Sequence, residues 1–70
     1  MSYKFTGETK EFLGHTLKRI VYSDGELGGW IESSANLKGD AIVYGNAEVY
    51  GNAEVYGDAI VYGNAEVYGE

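Results

Sequence analysis

From Gly39 onward the chain repeats a six-residue unit, Gly-Asp/Asn-Ala-x-Val-Tyr, five times without interruption. Internal repetition at so short a period constrains the fold more than any other feature, because each unit has room for only one short strand and one corner. Within a unit the Ala and the Val stand two apart, so in an extended strand they point to the same side and the residue between them points away. The Gly-Asn or Gly-Asp that follows tolerates the positive φ angles of a tight corner. A helix is excluded, since a glycine at every sixth position would cost about 1 kcal/mol each relative to alanine.

The frame extends backwards. Ala35 and Leu37 occupy the Ala and Val positions of one earlier unit, and Gly29 and Ile31 those of another, so seven hexads run over residues 29–70. The pairs Ala41/Val43, Ala47/Val49, Ala53/Val55, Ala59/Val61 and Ala65/Val67 are expected to line one interior. The variant unit beginning Asp40-Ala41-Ile42 recurs at Asp58-Ala59-Ile60, a shift of 18 residues. Three hexads per 18-residue coil predict an all-β chain folded as a triangular single-stranded parallel β-helix of about two and a third coils. An antiparallel meander is the competing reading, weakened by the marginal stability of hairpins with three-residue strands.

The segment Gly28-Gly29-Trp30-Ile31-Glu32, followed by Ala35-Asn36-Leu37 and by units of Gly-Asn-Ala-x-Val-Tyr-Gly, resembles the bacterial hexapeptide-repeat superfamily. In particular it looks like a largely uncharacterised branch of bacterial and prophage proteins. That resemblance implies a left-handed parallel β-helix. Many members of the superfamily are trimeric acyl- or nucleotidyl-sugar-linked transferases, and others hold zinc for carbonic anhydrase chemistry. The repeats here contain neither the histidine nor the inserted loop that the transferases use, and the zinc branch needs several histidines where this chain has His15 alone. The resemblance therefore implies a fold and carries no activity over.

Residues 1–28 contain no hexad. Tyr3-Lys4-Phe5-Thr6 and Thr16–Tyr22 are β-rich, with turn signals at Leu13-Gly14 and Ser23-Asp24-Gly25. A hairpin-like cap over residues 1–28 is expected, covering the first coil with Phe5, Phe12, Leu17, Ile20 or Val21, since repeat stacks need an atypical terminal unit. At the other end the repeat stops at Tyr68-Gly69-Glu70 with no capping sequence, so Val55, Val61 and Val67 are expected to be exposed beside unpaired strand edges.

Seventy residues without a cysteine lie near the lower limit for one apolar core, with neither disulfides nor a Cys/His zinc site to help. Self-association is the remedy this composition leaves, and a two-fold dimer through the open end is favoured, with a trimer as the other possibility. The net charge of −6, with every Lys and Arg at or before Lys38, opposes binding to nucleic acid or to an anionic membrane surface. No apolar stretch suits a leader or a membrane span, and a cytoplasmic location is expected. The near-identity of the units also suits a truncated or engineered chain.

Residues 18 apart should form ladders on the outside. Ile42 over Ile60 and Tyr44 near Tyr62 make the candidate lateral interface. Trp30 leads to Glu48 and Glu66, Tyr50 meets Tyr68, and Asn36 precedes Glu54. Catalytic signals are weak. His15 with Asp24 or Glu11 and Ser23, Ser33 or Ser34 has no triad spacing. Asp40 and Asp58 read as corner residues rather than a cation site, and Asp24–Gly29 lacks the Lys and Ser/Thr of a phosphate loop. The chain is expected to be a non-catalytic structural or self-assembly module without a cofactor or metal. The alternatives are a ligand- or carbohydrate-binding module using the tyrosine ladders, and a truncated relative of the trimeric hexapeptide acyltransferases.

Overall fold

A computed structural model describes residues 2–69. The hairpin forms first in sequence: β1 (Tyr3–Phe12) pairs antiparallel with β2 (His15–Tyr22) across the two-residue turn Leu13-Gly14. Both turn residues have positive φ, 51° at Leu13 and 82° at Gly14, the geometry that matches the twist of the flanking strands. β2 continues antiparallel onto β3 (Leu27–Ile31). A single 3-10 turn, Ser34–Asn36, follows, and then the short strands β4 (Ile42–Val43), β5 (Glu48–Gly51), β6 (Ile60–Val61) and β7 (Glu66–Gly69).

These strands do not build the triangular single-stranded β-helix that the repeat predicts. They form one mixed five-stranded sheet of order β1-β2-β3-β5-β7 and a separate two-stranded parallel ladder, β4-β6, with no closed or solenoid sheet. Two physical reasons account for the difference. The hairpin lies in the plane of the first repeat strand instead of sitting as a plug on a coil, so residues 1–28 and the repeats share a sheet and the division at 28/29 falls inside β3. The third side has no strand pair: Leu37 meets Val55 through one isolated bridge, beside the 3-10 turn.

The repeat does set the register. Every parallel partner lies 18 residues away: Trp30↔Glu48, Ile31↔Val49, Ile42↔Ile60, Val43↔Val61, Glu48↔Glu66 and Val49↔Val67. Inside, Ile20, Tyr22, Ile31, Leu37, Ala41, Val43, Ala47, Val49 and Val55 make the main core. Gly29 is required by close approach, because a Cβ there would lie 2.7 Å from the Ala47 carbonyl oxygen and 2.8 Å from a Val43 methyl. Of the expected covering residues, Leu17 and Ile20 are buried, Phe12 and Val21 are half-buried, and Phe5 is exposed.

One hexad departs from the expected facing. Ala35 is exposed on the 3-10 turn and Asn36 is buried, the reverse of the outward ladder position assigned to Asn36. Its side-chain oxygen accepts the N–H groups of Glu32 (3.1 Å) and Ser33 (2.8 Å), and its amide donates to the carbonyls of Gly51 (3.2 Å) and Ala53 (2.8 Å). Four hydrogen bonds satisfy an otherwise costly buried amide and tie the turn to the next layer.

Candidate functional site

Two copies of one twelve-residue sequence, 39–50 and 57–68, lie one above the other. The upper copy donates the N–H groups of Ile42, Tyr44, Asn46 and Glu48 to the carbonyls of Ala59, Val61, Gly63 and Ala65, each at 3.0 Å. The equivalent donors of the lower copy are those of Ile60, Tyr62, Asn64 and Glu66, and no backbone acceptor meets them among the described residues. A strand residue presents its N–H and C=O to the same side, so this lower edge offers donors and acceptors in alternation.

The expected interface valines lie along this edge in different degrees. Val55 is buried in the main core, whereas Val61 and Val67 are half-buried against it. Ala59 and Ala65 are exposed beside them. The edge is thus apolar in its inner part and hydrogen-bond-competent along its length.

The opposite boundary of the repeats is closed. β2 covers β3, and the Tyr22 hydroxyl accepts the Val43 N–H at 2.7 Å while donating to the Val43 carbonyl at 3.2 Å, standing in for a strand beside β4. Burial raises the Tyr22 phenol above its ordinary pKa. The outer edge of β1 is protected differently: its pairing register shifts between Phe5 and Thr9, and Lys4, Glu8 and Glu11 along it are exposed.

The lateral candidates form one strip. Tyr44 and Tyr62 stack with ring centroids 5.7 Å apart and planes 15° apart, and Ile42 is half-buried above an exposed Ile60. The second ladder behaves otherwise. Tyr50 is buried, stacked on Tyr68 at 5.4 Å and met edge-on by Phe12 at 5.7 Å, in a small second core with Leu17 and Trp30. Lys10 Nζ lies 4.6 Å and the Arg19 guanidinium carbon 5.2 Å from the Trp30 ring centroid, and Lys10 also pairs with Glu48 at 2.6 Å. Thus Glu48, expected on an open ladder, is buried but neutralised.

The residues considered for catalysis are not assembled into a triad. His15 Nδ1 lies 3.0 Å from Glu32 Oε1 and 3.1 Å from Oε2, and Glu32 Oε1 also accepts the Gly51 N–H at 2.7 Å. The Gly51 bond first, and then His15, hold the Glu32 carboxyl below its ordinary range. Glu11 accepts from the Thr16 hydroxyl, Ser33 Oγ from the Ala35 N–H, and Asp24 from the Glu26 N–H. Among the described residues no group of three or more His, Cys, Asp or Glu is placed to hold a metal, and Asp40 and Asp58 belong to none. No helix among them is long and apolar enough to cross a membrane.

Sequence reasoning missed Tyr22, Asn36, Lys10 and Arg19. Asn36 did leave a signal, since Ser33-Ser34 replace the Gly-Asp/Asn corner of its unit and Ser33 with Asn36 completes a capping box. The other three lie outside the hexads, where no period indicates what they touch. No family model matches the chain, and no curated protein or solved structure matches it either.

Proposed function

We propose that this chain is a non-catalytic self-assembly module that pairs with a second copy through the lower edge of its repeats. The observation that carries the reading is the row of unmet donors at Ile60, Tyr62, Asn64 and Glu66, beside the half-buried Val61 and Val67. Such an edge recruits another strand. A second copy is the favoured partner because the edge alternates donors and acceptors and is self-complementary when two of them meet antiparallel. A head-to-tail array is disfavoured, since the boundary that would receive the edge is covered by β2 and by the Tyr22 hydroxyl. A closed two-fold dimer is the symmetric arrangement that remains.

A carbohydrate platform on the tyrosine ladders is less well supported, because Tyr44 and Tyr50 already use one ring face each on Tyr62 and Tyr68. The cysteine-free composition suits a reducing cytoplasm, where we place the dimer.

Light scattering over a tenfold concentration range tests the proposal. The expected result is twice the chain mass, falling to the single-chain mass for Val67→Asp with the circular dichroism spectrum retained. A folded monomer, a trimer, or a dimer indifferent to Val67→Asp would overturn it.

A further inference from the structure

The strip formed by Ile42, Tyr44, Ile60 and Tyr62 is not a flat surface. The β2–β3 loop rises beside its upper end and leaves an open cleft of about 260 Å³ lined by Tyr22, Asp24, Glu26, Ile42 and Tyr44. Its floor is aliphatic and aromatic. Both ionisable groups on its lip are carboxylates, and the Asp24 carboxylate is fixed in place by accepting the Glu26 N–H at 2.9 Å. The Tyr22 hydroxyl is committed to the Val43 backbone, which leaves the Tyr44 hydroxyl as the one neutral hydroxyl in the lining, too few for the several hydroxyls of a sugar.

We propose that this cleft receives an arginine side chain from an extended basic segment of another protein. An arginine matches the cleft in each part: its methylene stem covers Ile42, its guanidinium lies against the Tyr44 ring, and its planar fork reaches the carboxylates of the lip. The volume suits one long side chain rather than a helix or an oligosaccharide. The Tyr44 ring is held for this contact by its stack on Tyr62.

Charge selects a different protein over a second copy. Two copies facing each other through this strip would bring Asp24, Glu26 and the exposed Asp58 of each together. Four of the chain's five basic residues are already engaged: Arg19 donates to the Gly28 carbonyl and lies on Trp30, Lys10 pairs with Glu48, Lys18 donates to the Glu32 carbonyl, and Lys38 pairs with Glu54; the fifth, Lys4, is exposed on β1. None of the five residues lining the cleft carries an unmet donor of the lower edge, although Tyr62, which backs Tyr44, belongs to that edge, so the two proposals are tested at different residues.

The test is an amide chemical-shift titration of the full chain with a blocked Gly-Leu-Arg-Leu-Gly peptide, repeated with citrulline in place of arginine. Saturable shifts at Asp24, Glu26, Ile42 and Tyr44 are expected with the arginine peptide. Affinity should fall roughly tenfold or more with citrulline, and similarly for Asp24→Asn/Glu26→Gln, because a charge-assisted bond is lost in each. Tyr44→Leu, which keeps an apolar floor, should weaken binding by a smaller factor. The proposal is overturned if citrulline binds as well as arginine or if the double variant binds unchanged. It also fails if free arginine amide matches the peptide, which would make this a small-cation site. Shifts of the same amides with protein concentration alone would overturn it too, by assigning the strip to a second copy.

Discussion

Residues 39–50 and 57–68 are the same twelve amino acids in the same order, yet they live in different surroundings. In the first copy Ala41 is 1% exposed and Val43 and Val49 are fully buried, while in the second Ala59 is exposed and Val61 and Val67 are only half-buried. Tyr50 is 5% exposed and its counterpart Tyr68 is 66% exposed. Nothing local distinguishes the copies, so the difference belongs to what covers them. The first has the hairpin and β3 above it and the second copy below; the second has a neighbour on one side. In a repeat the value of a side chain is set by its layer, and equal sequence does not mean equal stabilisation.

The same substitution made in each copy exposes this most sharply. Val49→Asp would place an unpaired charge in the main core at a cost upward of about 3 kcal/mol, enough to unfold so small a chain. Val67→Asp should leave the fold standing, and circular dichroism of the two variants side by side decides the matter. If both unfold, the second copy is as interior as the first.

A milder pair measures the gradient itself. In the single-chain Val67→Asp background, Val43→Ala should cost about 2 kcal/mol from lost burial and the cavity left behind, and Val61→Ala about half that, read from urea midpoints. Equal losses there would show that the two layers are equally interior. Without Val67→Asp the two losses should draw together, as a dimer edge that covers Val61 requires.

The two copies also differ in how their corners are held. Glu32 reaches Gly51 and His15 from the first layer, with its carboxyl held below the ordinary value of 4.5, the Gly51 N–H bond being the larger cause and His15 the second. Because the folded state binds that proton more weakly than the unfolded chain, the contribution is complete above the ordinary value and is lost as pH falls through the depressed one. Acid titration of stability should therefore lose part of its slope below about pH 4.5 in Glu32→Gln. An unchanged acid limb would show that the corner does not depend on this carboxylate.

The smallest effect concerns the hairpin that makes the first copy interior. Leu13 holds φ at 51° with its side chain 73% exposed, a left-handed conformation that asparagine adopts more readily. Leu13→Asn should stabilise the chain by about 0.5–1 kcal/mol, seen as a modest rise in Tm. A fall would mean that Leu13 makes a contact in solution that outweighs its backbone strain.

Much of the local structure is legible in the sequence. The turn at Leu13-Gly14 and the β character of 16–22 followed from turn chemistry and β-branched residues, and the inward facing of Ala41, Val43, Ala47 and Val49 from the period of two. The candidate edge was less legible. Val61 and Val67 were read together with Val55, yet Val55 is buried because Leu37 and the 3-10 turn lie beside it, and no spacing announces that contact. Asn36 was misplaced for a related reason: the hexad frame describes strands, and at 33–36 the chain forms a capped turn instead. Lys10 and Arg19 come from a strand with no repeat, so their meeting with Trp30 depends on the hairpin's angle.

By itself the sequence determined the alternation of short strands and corners, the side the alanines and valines of residues 39–68 face, and the 18-residue interval found in every parallel pair. Those are properties of a few successive residues, set by side-chain alternation and by which residues tolerate a corner. Only the tertiary structure decided that the hairpin joins the repeats in one mixed sheet, that no closed β-helix forms, and that one of two identical segments becomes core while the other, among the described residues, has an unpaired edge. Burial depends on residues distant in the chain, and two identical stretches of sequence carry no information that could tell them apart.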